Sequence, residues 1–399
     1  MGEEGVTGEP AAEPPRGFVD NIARSEFIRL AAVIFLTAMT NQQSVLLAVV
    51  WEDAGFAHRD IGLLIAVYGI PLVLMSLFSG PLANRIGLLH TVRIGAVLTT
   101  LGFLSLYFTH ESVLGSLASR LVQGTGFALF HAPVMTYGTT RLTRERFVRL
   151  FGLLSAMAPL PYAFGPIVAE FLYHAFGPHG YFLAGTVPAL IGLPLLWTIR
   201  PAEKAEGPVG GILGLIASPR IWLPLTAAIV YGYMFGFISA YAAPFLVERG
   251  IVVGTFFTAF TISIFAVRFG GLALIENIDR RLVVAGGAVL LAAGLVLVAL
   301  AQTATAVAVA GLVFGLGHSI GFPVLSAWIC DGTPPEQRAT PMAVFNATFF
   351  AAMTVIALPA SLAIGQFGYV PVMISLSVSS LGLTLLLAYA WSRRFRRRR

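Results

Sequence analysis

Charge is what this sequence has least of: only 11% of its 399 residues are Asp, Glu, Lys or Arg, against roughly 25% in an ordinary soluble domain. A surface that meets water on every side cannot be built from so few charges. Cys330 is the sole cysteine, which excludes an intrachain disulfide framework and a thiolate metal cluster. Lys204 is the sole lysine, so the Gly-x-x-x-x-Gly-Lys-Ser/Thr phosphate loop of an ATP-driven pump is missing. The zinc-hydrolase motif His-Glu-x-x-His is missing as well. No enzyme activity, resident metal or cofactor is expected.

What the chain has instead is apolar length. Hydrophobic residues make up 57% of it, and they fall in runs of about 20 residues, the length of helix that crosses a ~30 Å hydrocarbon core. Twelve such runs occur, near 27–50, 61–81, 91–109, 113–138, 151–175, 181–199, 220–246, 252–276, 282–301, 305–329, 341–366 and 369–391. None alternates as a barrel strand does, so an all-α integral membrane protein of twelve transmembrane helices is expected. Residues 1–23 are acidic and rich in Pro and Gly, without the apolar core of a signal peptide, and they predict a disordered cytoplasmic tail.

The net charge of +6 would favour nucleic acid if it were clustered, but the basic residues are spread through short loops and one tail, so no nucleic-acid partner is expected. Lys and Arg collect on the cytoplasmic side of membrane proteins. With the amino terminus placed inside, that side receives 21 of the 25 basic residues, including Arg141, Arg144, Arg146, Arg149 and the six arginines from Arg393 to Arg399. Only Arg59 and Arg249 fall opposite, and Arg120 and Arg268 lie within spans. The imbalance predicts a multi-pass protein of the bacterial inner membrane with both termini cytoplasmic.

The two halves repeat. Gly80-Pro-Leu-Ala recurs as Gly270-Gly-Leu-Ala at an offset of 190, and Gly124-Thr-Gly126 with Pro133 recurs as Gly315-Leu-Gly317 with Pro323 at offsets of 191 and 190. Three matches at nearly one spacing argue for a duplication with a pathway between the copies. The expected domains are residues 24–199 and 220–391, joined by a linker over 200–219 and followed by a basic tail over 392–399.

Specific motifs sharpen this. Gly80-Pro-Leu-Ala-Asn84-Arg85-Ile-Gly87, after the second span, resembles the loop signature of the major facilitator superfamily, with Asn84 at its acidic position. A capping hydrogen bond from Asn84 is then expected in place of a charged latch. Arg120-Leu-Val-Gln123-Gly124-Thr-Gly126 is similar to that family's fourth-helix signature, whose arginine serves either proton coupling or the structure around it. Gly165-Pro166-Ile-Val-Ala-Glu170 resembles the Gly-Pro signature of drug-antiporter exporters, with Ala169 and Glu170 where glycines are expected. Either it tilts the direction toward export, or Gly165 and Pro166 let spans five and eight pack closely. Asp279-Arg280-Arg281 is similar to the second-half loop signature, and Gly315 to Pro323 with Pro334 to Arg338 looks like efflux-permease members. The resemblance covers about residues 27–391 and implies two six-helix bundles with pseudo-two-fold symmetry.

Candidates for a central site are the polar groups that lipid would penalise. Asn41, Gln42 and Gln43 stand side by side in the first span, and at most two of them can share a face. His131 and His318 occupy corresponding spans of the two halves and are either proton acceptors or packed histidines. Glu170 either exchanges protons, pairs with Arg120 or forms a rim carboxylate. Arg268 either binds an anionic group or holds a carboxylate such as Glu276. Asn346, Tyr231, Tyr233 and Tyr241 complete the candidate lining. The expectation is a monomeric secondary transporter in the lipid bilayer, driven by protons and moving a small, anionic solute. The rivals are a receptor or assembly factor on the same scaffold and an intramembrane enzyme.

Overall fold

A computed structural model of the chain describes residues 24–140, 153–200, 218, 220–271, 278–333 and 339–396. The tail over 1–23, Arg141 to Arg149, Lys204 and most of the 200–219 linker, Glu276, Pro334 to Arg338 and residues 397–399 lie outside the described residues.

Thirteen helices carry the described chain: α1 (Arg24–Gln42), α2 (Leu47–Asp53), α3 (His58–Ile86), α4 (Leu88–Thr109), α5 (Val113–Thr140), α6 (Gly165–Trp197), α7 (Trp222–Glu248), α8 (Gly254–Ala266), α9 (Arg280–Leu300), α10 (Ala304–Ile329), α11 (Ala339–Val355), α12 (Ala357–Phe367) and α13 (Tyr369–Arg396). No strand occurs among the described residues. The helices follow from the solvent, because in hydrocarbon each backbone N–H and C=O must find its partner inside its own segment. Nine helical segments among the described residues are long and apolar enough to cross a membrane. One of them, Leu153–Trp197, breaks at Gly177, whose φ of 68° and ψ of −171° lie outside helical geometry. The positive φ suits glycine, and Pro178 follows it. Gly254–Gly270 forms a shorter apolar helix, and α5 is not among the nine. The first span is also interrupted, by a 3-10 turn over Gln43–Leu46 that joins α1 to α2.

The outer surface is apolar where a soluble protein would carry charge. Phe108, Leu114, Phe269 and Leu385 are each at least 70% exposed, which suits a lipid-facing wall.

Helices of the first half pack among themselves, α4 on α5 and α6, α5 on α3, and α6 on α1. Those of the second half do likewise, α10 on α8 and α9, α11 on α7, and α13 on α9. The two sets meet where α3 lies against α11 and α12, where α8 meets the Leu160–Ala163 turn and α6, and where α2 meets α7.

The glycine repeat seen in sequence has a structural counterpart. A Cβ on Gly124 would stand 2.2 Å from the Tyr68 carbonyl oxygen of α3, and one on Gly126 would stand 2.2 Å from the Thr99 nitrogen of α4. In the other half, a Cβ on Gly315 would stand 2.7 Å from the Phe260 carbonyl oxygen of α8, and one on Gly317 would stand 2.6 Å from the Gly287 carbonyl oxygen of α9. The first glycine of each pair seats its helix on the second span of that half, and the second glycine seats it on the third. Small residues permit this backbone-to-backbone approach, which supplies packing in a solvent that offers no hydrophobic drive between helices. Gly165 behaves differently. Its Cβ would meet Gln42 at 3.5 Å and Met39 at 3.8 Å, both ordinary contacts, whereas one on Gly254 would stand 2.0 Å from Ile167. The close approach of spans five and eight therefore rests on Gly254, and Pro166 occupies the first turn of α6, where a missing N–H costs nothing.

Overpacking at such contacts costs about 1–3 kcal/mol. Gly124→Val and Gly315→Val are each expected to lower the melting temperature of the purified protein, whereas Gly286→Ala, with open space around it, leaves it unchanged. Equal melting of all three variants would contradict the paired-glycine packing.

Candidate functional site

The first-half site begins with the break in the first span. Departure from α-helical hydrogen bonding at Gln43 frees a carbonyl, and the Tyr181 hydroxyl donates to it at 2.6 Å. The break turns Asn41 and Ser44 toward α5. There Arg120 Nη1 donates to Gln123 Oε1 at 2.6 Å and to Ser44 Oγ at 3.4 Å, while Nε donates to the Leu64 carbonyl oxygen at 3.3 Å. Gln123 Nε2 donates in turn to Ser44 Oγ at 3.1 Å and to Asn41 Oδ1 at 3.5 Å. The Tyr68 hydroxyl donates to Asn41 Oδ1 at 2.9 Å, and its ring lies 4.2 Å beneath the guanidinium.

Arg120 is 4% exposed and sits about 10 Å along α5 from the end remote from the chain termini. Among the described residues no carboxylate forms an ion pair with it. The cation is held by neutral dipoles and an aromatic face alone. The expected alternative, a pair with Glu170, is not realised, because Glu170 Oε2 instead accepts the Val253 N–H at 2.9 Å. That places the carboxylate at the N-terminus of α8 in the other half, where the helix dipole favours it.

The three adjacent amides diverge. Asn41 joins the arginine network, Gln42 reaches the Tyr162 hydroxyl, and Gln43 is buried with both amide atoms unpartnered. A Cβ on Gly185 of α6 would stand 3.1 Å from Gln43 Oε1, so this side chain faces packing between helices.

The second-half site is aromatic. His318 is stacked between Phe235 at 4.8 Å and Phe322 at 5.4 Å, with Phe260 at 5.7 Å, and its Nδ1 is buried without a partner. The buried Ser239 hydroxyl on α7 faces the Tyr162 hydroxyl, as Gln42 does from the first span. Arg268 lies in a π-helical turn, Val267–Gly271, and its Nη1 donates to Ser155 Oγ of the first half at 3.1 Å. Such turns often occur at functional positions. His131 stacks on Phe127 at 5.2 Å and joins a different ring set from His318. Among the described residues no three His, Cys, Asp or Glu side chains come together to hold a metal.

Other candidates take structural positions. Tyr231 donates to the Val284 carbonyl oxygen at 2.9 Å, Tyr233 meets Ser379 at 3.2 Å, and Tyr241 donates to the Ala357 carbonyl oxygen at 2.6 Å. Asn346 is half-buried on α11. Gly80 lies in α3, Asn84 and Arg85 are exposed in its last turn, and Gly87 ends it with a φ of 93°. Asp279 caps α9 by accepting the Arg281 N–H at 2.9 Å, and Arg280 pairs with Asp331 at 2.5 Å. Gly317-His318-Ser319-Ile320-Gly321 fits the Gly-x-Ser-x-Gly spacing of hydrolase elbows, but Ser319 is buried inside α10 and donates to the Gly315 carbonyl oxygen at 2.5 Å. The strained strand-to-helix turn of that motif is absent there.

Sequence reasoning missed Ser44, Tyr68, Tyr162, Phe235 and Ser239. Each lies within a predicted span, and only Ser44, which continues the polar run Asn41-Gln42-Gln43, carried any signal.

Across the halves, four hydrogen bonds among the described residues tie the end remote from the termini. Tyr369 donates to Glu52 Oε1 at 3.0 Å, Val253 N–H to Glu170, Thr258 Oγ1 to the Ala163 carbonyl oxygen at 2.7 Å, and Ser361 Oγ to the His58 carbonyl oxygen. Toward the other end, the Arg268–Ser155 bond links the halves among the described residues.

Leaving a buried donor or acceptor unmade costs about 1–3 kcal/mol. Gln123→Leu, which strips Arg120 and Ser44 of partners, is expected to lower thermal stability more than Thr125→Leu, whose hydroxyl bonds only its own helix. A smaller loss at Gln123 would mean that the network carries no structural weight.

A family model described as Major Facilitator Superfamily matches residues 30–272 and 249–399. The chain is 29% identical over 169 residues to an uncharacterised MFS-type transporter of Salmonella typhimurium, covering 39% of this chain and 44% of that protein. It is 25% identical over 234 residues to a methylenomycin A resistance protein of Streptomyces coelicolor, covering 57% and 48%. The chain thus spans about half the length of the curated relatives it matches. Among solved structures, a POT family transporter bound to a thioalcohol-conjugated peptide is similar at a TM-score of 0.78 and 14% identity, over 92% of this chain and 96% of that one. A nucleoside transporter is similar at 0.78 and 13%, over 93% and 100%. At such identities the likeness is one of fold, and it agrees with the helix packing described above. Since the family model matches nearly all of its length, the chain belongs to the Major Facilitator Superfamily.

Proposed function

We propose that this protein is a proton-coupled secondary transporter that moves a small organic anion by alternating access between two six-helix bundles, residues 24–199 and 220–391. The observation that carries the reading is Arg120, a desolvated cation held by Gln123, Ser44 and Leu64 with no carboxylate paired to it among the described residues. A charge so placed is costly in a membrane unless it meets water or an anion during the working cycle. A receptor on the same scaffold would gain nothing from it.

Adding α5, the Gly254–Gly270 helix and a reversal at Gly177 to the nine long apolar segments gives twelve crossings. The bias of basic residues supports a reading with both termini in the cytoplasm, and the membrane in this proposal is a bacterial inner membrane. In that orientation the four remote ties close the periplasmic side. Export is the favoured direction, on the Gly165–Pro166 pattern and on the resistance protein among the relatives. The coupling proton has three candidate carriers, His131, Glu170 and His318, of which Glu170 forms one of the remote ties. Arg268 is the second cation on the anion's route.

In proteoliposomes loaded with organic acids, accumulation against a gradient is expected to stop when the pH gradient is collapsed. Arg120→Gln is expected to reduce it by at least about tenfold, which corresponds to losing one charge-assisted hydrogen bond. Arg120→Lys keeps the charge but loses the planar fork, and is expected to fall between the two. Transport of cations alone, with Arg120→Gln as active as the native protein, would refute the anion reading.

A further inference from the structure

Two first-half carboxylates reach the second half at the end remote from the termini, and they meet different surroundings. Glu170 accepts a backbone N–H at the start of α8, where the helix dipole suits an ionised carboxylate. Glu52 lies past the first apolar run, in the last turn of α2, which packs on α7. Its Oε1 accepts the Tyr369 hydroxyl of α13 at 3.0 Å, and its side chain is 26% exposed. Glu248, at the end of α7, acts on it with like charge.

The loops at this end, residues 54–57, 110–112, 249–253, 301–303 and 368, all lie within the described residues, so the groups around Glu52 can be named element by element. Asp53 on α2 and His58 on α3, whose Nδ1 stands 4.0 Å from Glu52 Oε1, belong to its own half and travel with it. Arg59 and Asp60 follow in the first turn of α3, with Arg59 exposed, and Tyr173 of α6 donates to Asp53 Oδ2 at 2.6 Å. The second half contributes Tyr369, Glu248, Tyr241 and Arg249. Tyr241 donates to the Ala357 carbonyl oxygen, and Arg249 is engaged by the Ala301 carbonyl oxygen and the Phe245 ring.

Closing this end therefore changes three things for Glu52. Its carboxyl loses water, gains one phenolic hydrogen bond and approaches Glu248. The first and third favour the neutral carboxyl, and the second favours the ionised one. Loss of water is the largest of the three, and the like charge of Glu248 adds to it. The closed arrangement thus holds a proton more tightly than the open one, and linkage favours closure as the pH falls and opening as it rises.

We propose that Glu52 makes the contact between the halves at the remote end a proton-dependent latch, closed while its carboxyl is neutral and released when it ionises. The inference rests on alternating access between the two bundles and adds Glu52 to the proton carriers named above, and it needs no particular solute.

Double electron–electron resonance of the full-length protein in lipid nanodiscs, without solute, tests the latch. Cys330→Ser removes the native thiol, and spin labels are placed on Phe176→Cys and Gln302→Cys, exposed positions at this end of the first and second halves. Between about pH 5 and about pH 9 the ratio of open to closed molecules is expected to rise at least about tenfold. That is the change supplied by about one pH unit of difference in proton affinity between the two arrangements. Glu52→Gln, held neutral, is expected to stay closed across the range. Glu248→Gln, at an exposed residue, removes the like charge and is expected to move the midpoint of opening to lower pH. A native protein that does not respond to pH, a Glu52→Gln response equal to the native one, or an unmoved midpoint in Glu248→Gln would each overturn the proposal. Because no solute is present, loss of the latch would leave the transport reading standing, and that reading could fail with the latch intact.

Discussion

A guanidinium kept from water inside a hydrocarbon slab has to be answered by something, and in this protein the answer is a set of neutral dipoles. Arg120 spends its donors on a glutamine, a serine and a backbone carbonyl and rests on the face of Tyr68. Each partner comes from a different place: Gln123 from the same helix, Ser44 from the break in the first span, and Leu64 and Tyr68 from α3. The network exists only if α1, α3 and α5 approach within hydrogen-bonding range of one another. The glycines next to it allow that approach, since Gly124 removes the Cβ that would collide with the Tyr68 carbonyl oxygen. Close packing and the tolerated charge are two aspects of one constraint, that polar groups in lipid must be satisfied from within.

The second half repeats the packing but not the chemistry. Gly315 and Gly317 seat α10 on α8 and α9 as Gly124 and Gly126 seat α5 on α3 and α4. Where the first half places Arg120 and its amides, the second places His318 among phenylalanines, with Arg268 further along in a π-helical turn. Duplication preserved the small residues that set helix distances, and the polar residues diverged. The first half thus buries a cation among amides and a tyrosine, and the second buries a histidine among phenyl rings.

Glycine permits close approach between the halves as well as within them, at Gly62 and Gly69 of α3 against Ser361 and Thr354 and at Gly254 of α8 against Ile167. At the remote end, single hydrogen bonds from Tyr369, Ser361, Thr258 and Val253 add to that packing. Such bonds are each worth about 0.5–1.5 kcal/mol net, or somewhat more where a carboxylate accepts. They can be exchanged in a rocking motion that leaves each bundle intact, as transporters built from repeats require.

The sequence by itself determined the all-helical membrane fold, most of the helix positions and the glycine repeat, because span length and residue size act locally and leave a pattern along the chain. It also singled out Arg120 and Gln123, since a charge within an apolar run is conspicuous. Tertiary structure decided who meets whom. It gave Glu170 to the start of α8 in the other half, separated Asn41, Gln42 and Gln43 into three environments, and moved the close contact of spans five and eight from Gly165 to Gly254. It also recruited Ser44, Tyr68 and Phe235, residues unremarkable in any apolar run. The physical reason is that a hydrogen bond or ring stack depends on helix rotation and depth to within an ångström or so. Those are set by packing between segments distant in sequence, which periodicity along one segment does not record.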